Sequence, residues 1–225
     1  MGDFENIGAC VFDAYGTLFD IHTPTDRIAG ELGDKAKAIS DLWRAKQLQY
    51  CWLRSMMGVH ADFWQVTGDA LDFTLEIFQV DAPSIRERLM ELYLELDAYA
   101  DAKPTLERMT GDGRRCAILS NGSPAMIGAA VENADLAQLF EAVISVEEAG
   151  VYKPDPRTYR LAVDRMGVEP ANICFVSANG WDCAGAAQFG FQVAHINRFG
   201  QQIEHLPSKP RAEITDLAGL LDLLK

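Results

Sequence analysis

The chain has 225 residues, 48% of them hydrophobic and 24% charged, with a formal net charge of −13. That length holds one large domain or a domain with a sizeable insert, and the apolar share excludes global disorder. The acidic balance argues against nucleic acid or an anionic membrane as partner, although a few buried cations can still favour an anionic substrate locally.

No apolar run approaches the about 18 residues of a membrane helix. The N-terminus MGDFENIG is acidic and lacks a basic n-region, so it reads as no secretory signal. Its Met-Gly start lacks the Ser or Thr of a myristoylation motif. The five cysteines, Cys10, Cys51, Cys116, Cys174 and Cys183, form no CxxC pair. They are read as buried free thiols in a reducing cytosol, which places the protein in the cytoplasm. The four histidines are scattered without metal-ligand spacing.

In chain order, ACVF (9–12) is the first short, buried strand, and Asp13 follows it before a turn at Gly16-Thr17. Residues 18–99 show no strand run. There, 42–57 carries apolar or aromatic residues mostly at helical spacing, and 70–78 continues in kind. The segment 83–96 opens on a proline suited to a helix start. Four more strands follow: RCAILS (115–120), AVIS (142–145), ICFVS (173–177) and QVAHI (192–196), separated by helix-like segments. Residues 214–225 read as a closing helix with Asp216 near its start.

This alternation predicts an α/β fold, a Rossmann-like parallel sheet wrapped by helices, with a helical block inserted after the first strand as a cap over the sheet's carboxyl edge. The division is a core of residues 1–17 and 100–225 and a cap of residues 18–99. Such sheets bind ligands at the carboxyl ends of their strands, where Asp13, Ser120 and Ser177 fall. By itself, Asp13 reads either as a nucleophilic carboxylate or as a carboxylate that stabilises a turn before glycine.

Four motifs, FDAYGTLFD (12–20), LSNG (119–122), YKPDPRTY (152–159) and FVSANGWD (175–182), resemble the haloacid dehalogenase superfamily in order and content. A fifth, WRAKQLQYCWLRSM (43–56), resembles the first long cap helix of its L-2-haloacid dehalogenases (type II). The resemblance implies hydrolytic dehalogenation of (S)-2-haloacids to (R)-2-hydroxyacids through an ester on Asp13. The substrate is a small 2-haloalkanoate, and water is the second reactant. It also implies a homodimer, with no nucleic acid or membrane partner.

Catalytic roles fall by resemblance on Asp13, Thr17, Lys153, Ser177, Asn179 and Asp182. Thr17 would hydrogen-bond Asp13, and Lys153 would neutralise Asp13 and Asp182. Arg44, Asn179 and Trp181 would cradle the departing halide. Ser120 and Asn121 would hold the substrate carboxylate, and Tyr15, Leu48, Phe63 and Trp181 would surround its alkyl group. Tyr159 is grouped with the substrate-binding residues; it would orient Lys153 or Asp182, or serve only as core. For Leu48 and Phe63 the alternative is cap packing, and for Arg44 a solvated helix position.

Superfamily phosphatases carry an acid where Tyr15 stands and further carboxylates where Ser177 and Asn179 stand. Their loss predicts no metal and no other cofactor. A phosphatase acting on a small phosphate ester, and a binding protein on a retired scaffold, remain the alternatives.

Overall fold

The structure is a computed structural model that describes residues 4–225; the Met1-Gly2 start considered above lies outside the described residues. Six parallel strands form one sheet in the order β3-β2-β1-β4-β5-β6. They are β1 (Ala9–Phe12), β2 (Cys116–Ser120), β3 (Ala142–Ser145), β4 (Ile173–Ser177), β5 (Gln192–Ile196) and β6 (Ala212–Ile214). Every residue of β1, β2 and β4 is buried. Strands covered on both faces need continuous apolar runs rather than alternation, and this makes them legible in the sequence.

The strand order reverses between β1 and β4. The register aligns Phe12 with Val176, so Asp13 and Ser177 leave the sheet side by side, with the Asp13 N–H donating to the Val176 carbonyl at 2.9 Å. A crevice opens at such a switch point, beyond the carboxyl ends of the strands.

Between β1 and β2 lie α1 (Thr23–Arg27), α2 (Ala29–Leu32), α3 (Ala36–Met57), α4 (Phe63–Ile77), α5 (Pro83–Leu92) and α6 (Ala102–Gly111). The 22-residue α3 ends where Gly58 takes φ 68°. Helix α4 starts because the Asp62 side chain accepts from the Gln65 N–H. The chain leaves and re-enters the sheet layer along two adjacent paths: Asp20 N–H donates to Asp97 O at 2.8 Å, and Tyr99 N–H to Leu18 O at 2.9 Å. Helices α7 (Pro124–Asn133), α8 (Pro156–Met166) and α9 (Gly180–Phe189) follow β2, β3 and β4, and α10 (Gly219–Leu223) closes the chain. Helices α7 and α8 each start with a proline behind a capping side chain, Ser123 and Asp155.

Three expectations change. A sixth strand exists at Ala212–Ile214; three residues are too few for a periodic signal, and only Ala212 and Ile214 are buried. Ile214 therefore pairs with Ile196 instead of opening a helix, and the closing helix covers only Gly219–Leu223, with Asp216 Oδ1 accepting from the Gly219 N–H. The helix expected over 83–96 stops at Leu92, and Tyr93 turns inward, buried. All five cysteines are buried and free.

Candidate active site

Asp13 stands at the end of β1, where Gly16 adopts φ 86° and the Ala14 carbonyl accepts from the N–H groups of Thr17, Leu18 and Phe19. This tight turn brings Thr17 back over the carboxylate. Asp13 Oδ2 accepts from Thr17 Oγ1 at 3.0 Å, Asn179 Nδ2 at 2.7 Å and Ser177 Oγ at 3.3 Å, while Oδ1 accepts from Lys153 Nζ at 3.2 Å. The two oxygens thus differ: one is gripped by three neutral donors, the other holds a single cation.

Lys153 is fully buried and also donates to Asp182 Oδ2 at 2.9 Å. Burial works against its ammonium, but Asp13 and Asp182 outweigh it and hold its pKa above the ordinary lysine value. Its main chain is fixed by Asn121, whose Oδ1 accepts from the Lys153 N–H at 3.0 Å. Asp182, in the first turn of α9, is buried too, and its pKa is pushed up to about 6 by burial, with Lys153 pulling down and Asp13 pushing up.

From α3, half-buried Arg44 reaches down to this centre, its Nη2 donating to Asn179 Oδ1 at 3.4 Å and its Nη1 to Gln47 Oε1 at 2.8 Å. Asn179 therefore meets both the carboxylate and the guanidinium, one with each end of its amide. The Tyr15 ring packs between Phe63 at 5.6 Å and Tyr93 at 5.7 Å. Burial drives its phenol pKa well above the usual value, and its hydroxyl has no hydrogen-bond partner among the described residues.

A family model for haloacid dehalogenase-like hydrolases matches residues 7–190. The chain belongs to that family. The (S)-2-haloacid dehalogenase 4A of Burkholderia cepacia is 44% identical over 98% of this chain and 96% of that protein. (S)-2-Haloacid dehalogenase 1 of a Pseudomonas species (strain CBS-3) is 45% identical over 98% and 97%. The solved structure of L-2-haloacid dehalogenase from Xanthobacter autotrophicus with chloropropionic acid covalently bound superposes with a TM-score of 0.91, at 37% identity, covering 96% of this chain and 98% of that one.

In this haloacid dehalogenase-like hydrolase, Asp13, Thr17, Lys153, Ser177, Asn179 and Asp182 are joined by direct hydrogen bonds into one cluster. Ser120 is fully buried at the end of β2, its Oγ accepting from the Gly122 N–H at 3.1 Å. Phe63 is buried at the start of α4 against Tyr15. Leu48 is half-buried one turn beyond Arg44, on the same side of α3. Trp181 packs edge-on against Trp52 of α3 at 5.4 Å and borders a cavity of about 540 Å³ with Pro154, Gly185 and Leu206. Neither Asp13 nor Asp182 lines that cavity.

Of the two positions expected for Tyr159, beside Lys153 or beside Asp182, the structure shows contact with Asp182. Tyr159 is fully buried in α8 among Phe175, Phe189 and Phe191, and its hydroxyl donates to Asp182 Oδ1 at 2.7 Å. It supports Asp182 from the core side.

Gln47 and Tyr93 escaped the sequence reading. Gln47 lies three residues after Arg44, a spacing that puts both on one helix side. Tyr93 carried no such signal, since it reaches the site from the end of α5.

Proposed function

We propose that this chain is an (S)-2-haloacid dehalogenase that hydrolyses small (S)-2-haloalkanoates to (R)-2-hydroxyacids and halide. The carrying observation is Tyr15. Where a proton donor for the leaving group would be needed, the site has a buried phenol with its pKa driven up, walled by Phe63 and Tyr93. A halide needs no proton to depart, and the half-buried Arg44 supplies the positive charge that it does need.

Asp13 Oδ1, carrying one donor, attacks C2 from the side opposite the halogen. The C–X bond breaks, halide leaves toward Arg44, Asn179 and Trp181, and an ester forms on Asp13. Oδ2 becomes the ester carbonyl, already held by Thr17, Ser177 and Asn179. Water then attacks the Asp13 carboxyl carbon as Asp182 takes one of its protons. The oxyanion collapses and the bond from that carbon to Oδ1 breaks. Asp182 returns the proton to the leaving alkoxide to free the hydroxyacid, and Asp13 sheds the remaining water proton to solvent. The N–H groups of Ala14 and Tyr15 join the oxyanion hole. Ser120 and Asn121 bind the substrate carboxylate, and Tyr15, Leu48, Phe63 and Trp181 enclose its alkyl group.

Metal independence belongs to the same reading. Asp13 and Asp182 are already bridged by Lys153, and their neighbours Ser177 and Asn179 offer only neutral donors. The division into a core of residues 1–17 and 100–225 and a cap of residues 18–99 rests on the paired crossings at 18–20 and 97–99. A homodimer is supported by Met56, Met57 and Val59, more than half exposed at the end of α3. A cytoplasmic location is supported by the five free thiols. Among the described residues no helix is long and apolar enough to cross a membrane.

The test is halide release from each enantiomer of 2-chloropropionate after exhaustive EDTA treatment, with light scattering for the dimer. Halide from the L enantiomer alone is expected. Silence toward both enantiomers, with Mg²⁺-dependent phosphate release from a simple phosphate ester, would reverse the assignment.

A further inference from the structure

Gln47 is buried beneath Arg44 at 1% exposure, and its amide is oriented without ambiguity. Thr67 gives its single hydroxyl proton to the Phe63 carbonyl at 2.6 Å, so Thr67 Oγ1 is left as an acceptor. It accepts from Gln47 Nε2 at 2.7 Å. Gln47 Oε1 must then face the other way, toward Arg44 Nη1 at 2.8 Å. The Tyr93 hydroxyl lies 3.1 Å from Nε2 and 3.2 Å from Oε1 and closes the network. The Tyr93 ring then packs against Tyr15 at 5.7 Å and Trp43 at 5.2 Å. One buried amide therefore fixes the cation on one side and backs the aromatic wall on the other.

We propose that Gln47 is a positioning residue for leaving-group departure, setting the plane of the Arg44 guanidinium so that its free edge meets the halide. A guanidinium is a flat fork with five donors and no acceptor, and one fixed acceptor at Nη1 fixes the direction of the rest. The acceptor is neutral. A carboxylate in its place would hold the same geometry but cancel the charge that stabilises the halide. Gln47 itself touches no substrate. The inference rests on the reading of Arg44 as the halide's partner.

The experiment compares wild type, Gln47→Met, Gln47→Glu and Arg44→Lys, using the full chain. It measures turnover and KM for L-2-chloro- and L-2-bromopropionate, inhibition by bromide, and melting temperature. In Gln47→Met, turnover of the chloro substrate should fall by about tenfold or more. The better leaving bromide should suffer less, and bromide inhibition should weaken. Gln47→Glu should weaken bromide inhibition also, and it decides the matter if the Met variant does not fold. A lowered melting temperature with an unchanged chloro-to-bromo ratio and unchanged inhibition would overturn the proposal. If Arg44→Lys shifts both quantities while the Gln47 variants shift neither, this inference alone falls. If Arg44→Lys shifts neither, the reading of Arg44 falls with it.

Discussion

The Lys153 ammonium lies 2.9 Å from Asp182 Oδ2, with both side chains removed from solvent, and the same nitrogen reaches Asp13 Oδ1 at 3.2 Å. A single cation thus stands between two buried carboxylates. Removing it leaves like charges facing each other in a poorly solvated space. Breaking a buried pair in this way costs about 3–5 kcal/mol. Lys153→Met should therefore lose halide release and much of its stability at pH 7. The two carboxylates would then share a proton, so the variant should regain stability as pH falls from 7 toward 5. Denaturant unfolding at both values checks this; equal destabilisation at the two would count against the bridging role.

Asp182 has its pKa pushed up to about 6, burial being the main cause. The unfolded carboxyl titrates near ~3.9. Between those values the folded protein binds the proton more strongly, so this group's contribution to stability falls as pH rises through the window. Activity runs the opposite way, because only the ionised carboxylate can take a proton from water. Turnover should drop below about pH 6, and the ester on Asp13 should accumulate as its hydrolysis slows. Mass spectrometry of acid-quenched enzyme at pH 5 and pH 7 reads the esterified fraction. An equal fraction at both would remove Asp182 from the hydrolytic step.

Asp13 Oδ1 as the attacking atom determines where the product's oxygen comes from. A single turnover in heavy-oxygen water, with enzyme in excess, should yield mostly unlabelled hydroxyacid and a labelled Asp13 peptide. Later turnovers should label the product. Direct attack of water on C2 predicts the reverse in the first turnover. Asp13→Asn should nearly abolish halide release while keeping the fold.

Gly122 holds Tyr15 in place by leaving room for it. A Cβ at this position would lie 2.6 Å from Tyr15 Cε2 and 2.8 Å from Ile127 Cγ1. The Tyr15 ring has little space to yield, being packed against Phe63 and Tyr93. Gly122→Ala should cost about 1–3 kcal/mol in stability. It should also raise KM for L-2-chloropropionate through a displaced aromatic wall. Unchanged melting and unchanged KM would show that Tyr15 has slack that the packing does not reveal.

The amino-acid sequence by itself determined the parallel core, because strands buried on both faces must be apolar at successive positions, and ACVF, CAILS and ICFVS are. It also placed Asp13, Ser120 and Ser177 at the carboxyl ends of those strands. It could not determine what meets the site from elsewhere. Only packing decided which of Lys153 and Asp182 Tyr159 meets, its hydroxyl donating to Asp182 Oδ1, and the support of Arg44 proved to be Gln47 with Tyr93. The edge strand Ala212–Ile214 was likewise decided only by pairing with β5. The physical reason is the same in each case. Periodicity and turn chemistry act between near neighbours along the chain, whereas Gln47 and Tyr93 lie 46 residues apart and meet only once α3 and α5 have packed.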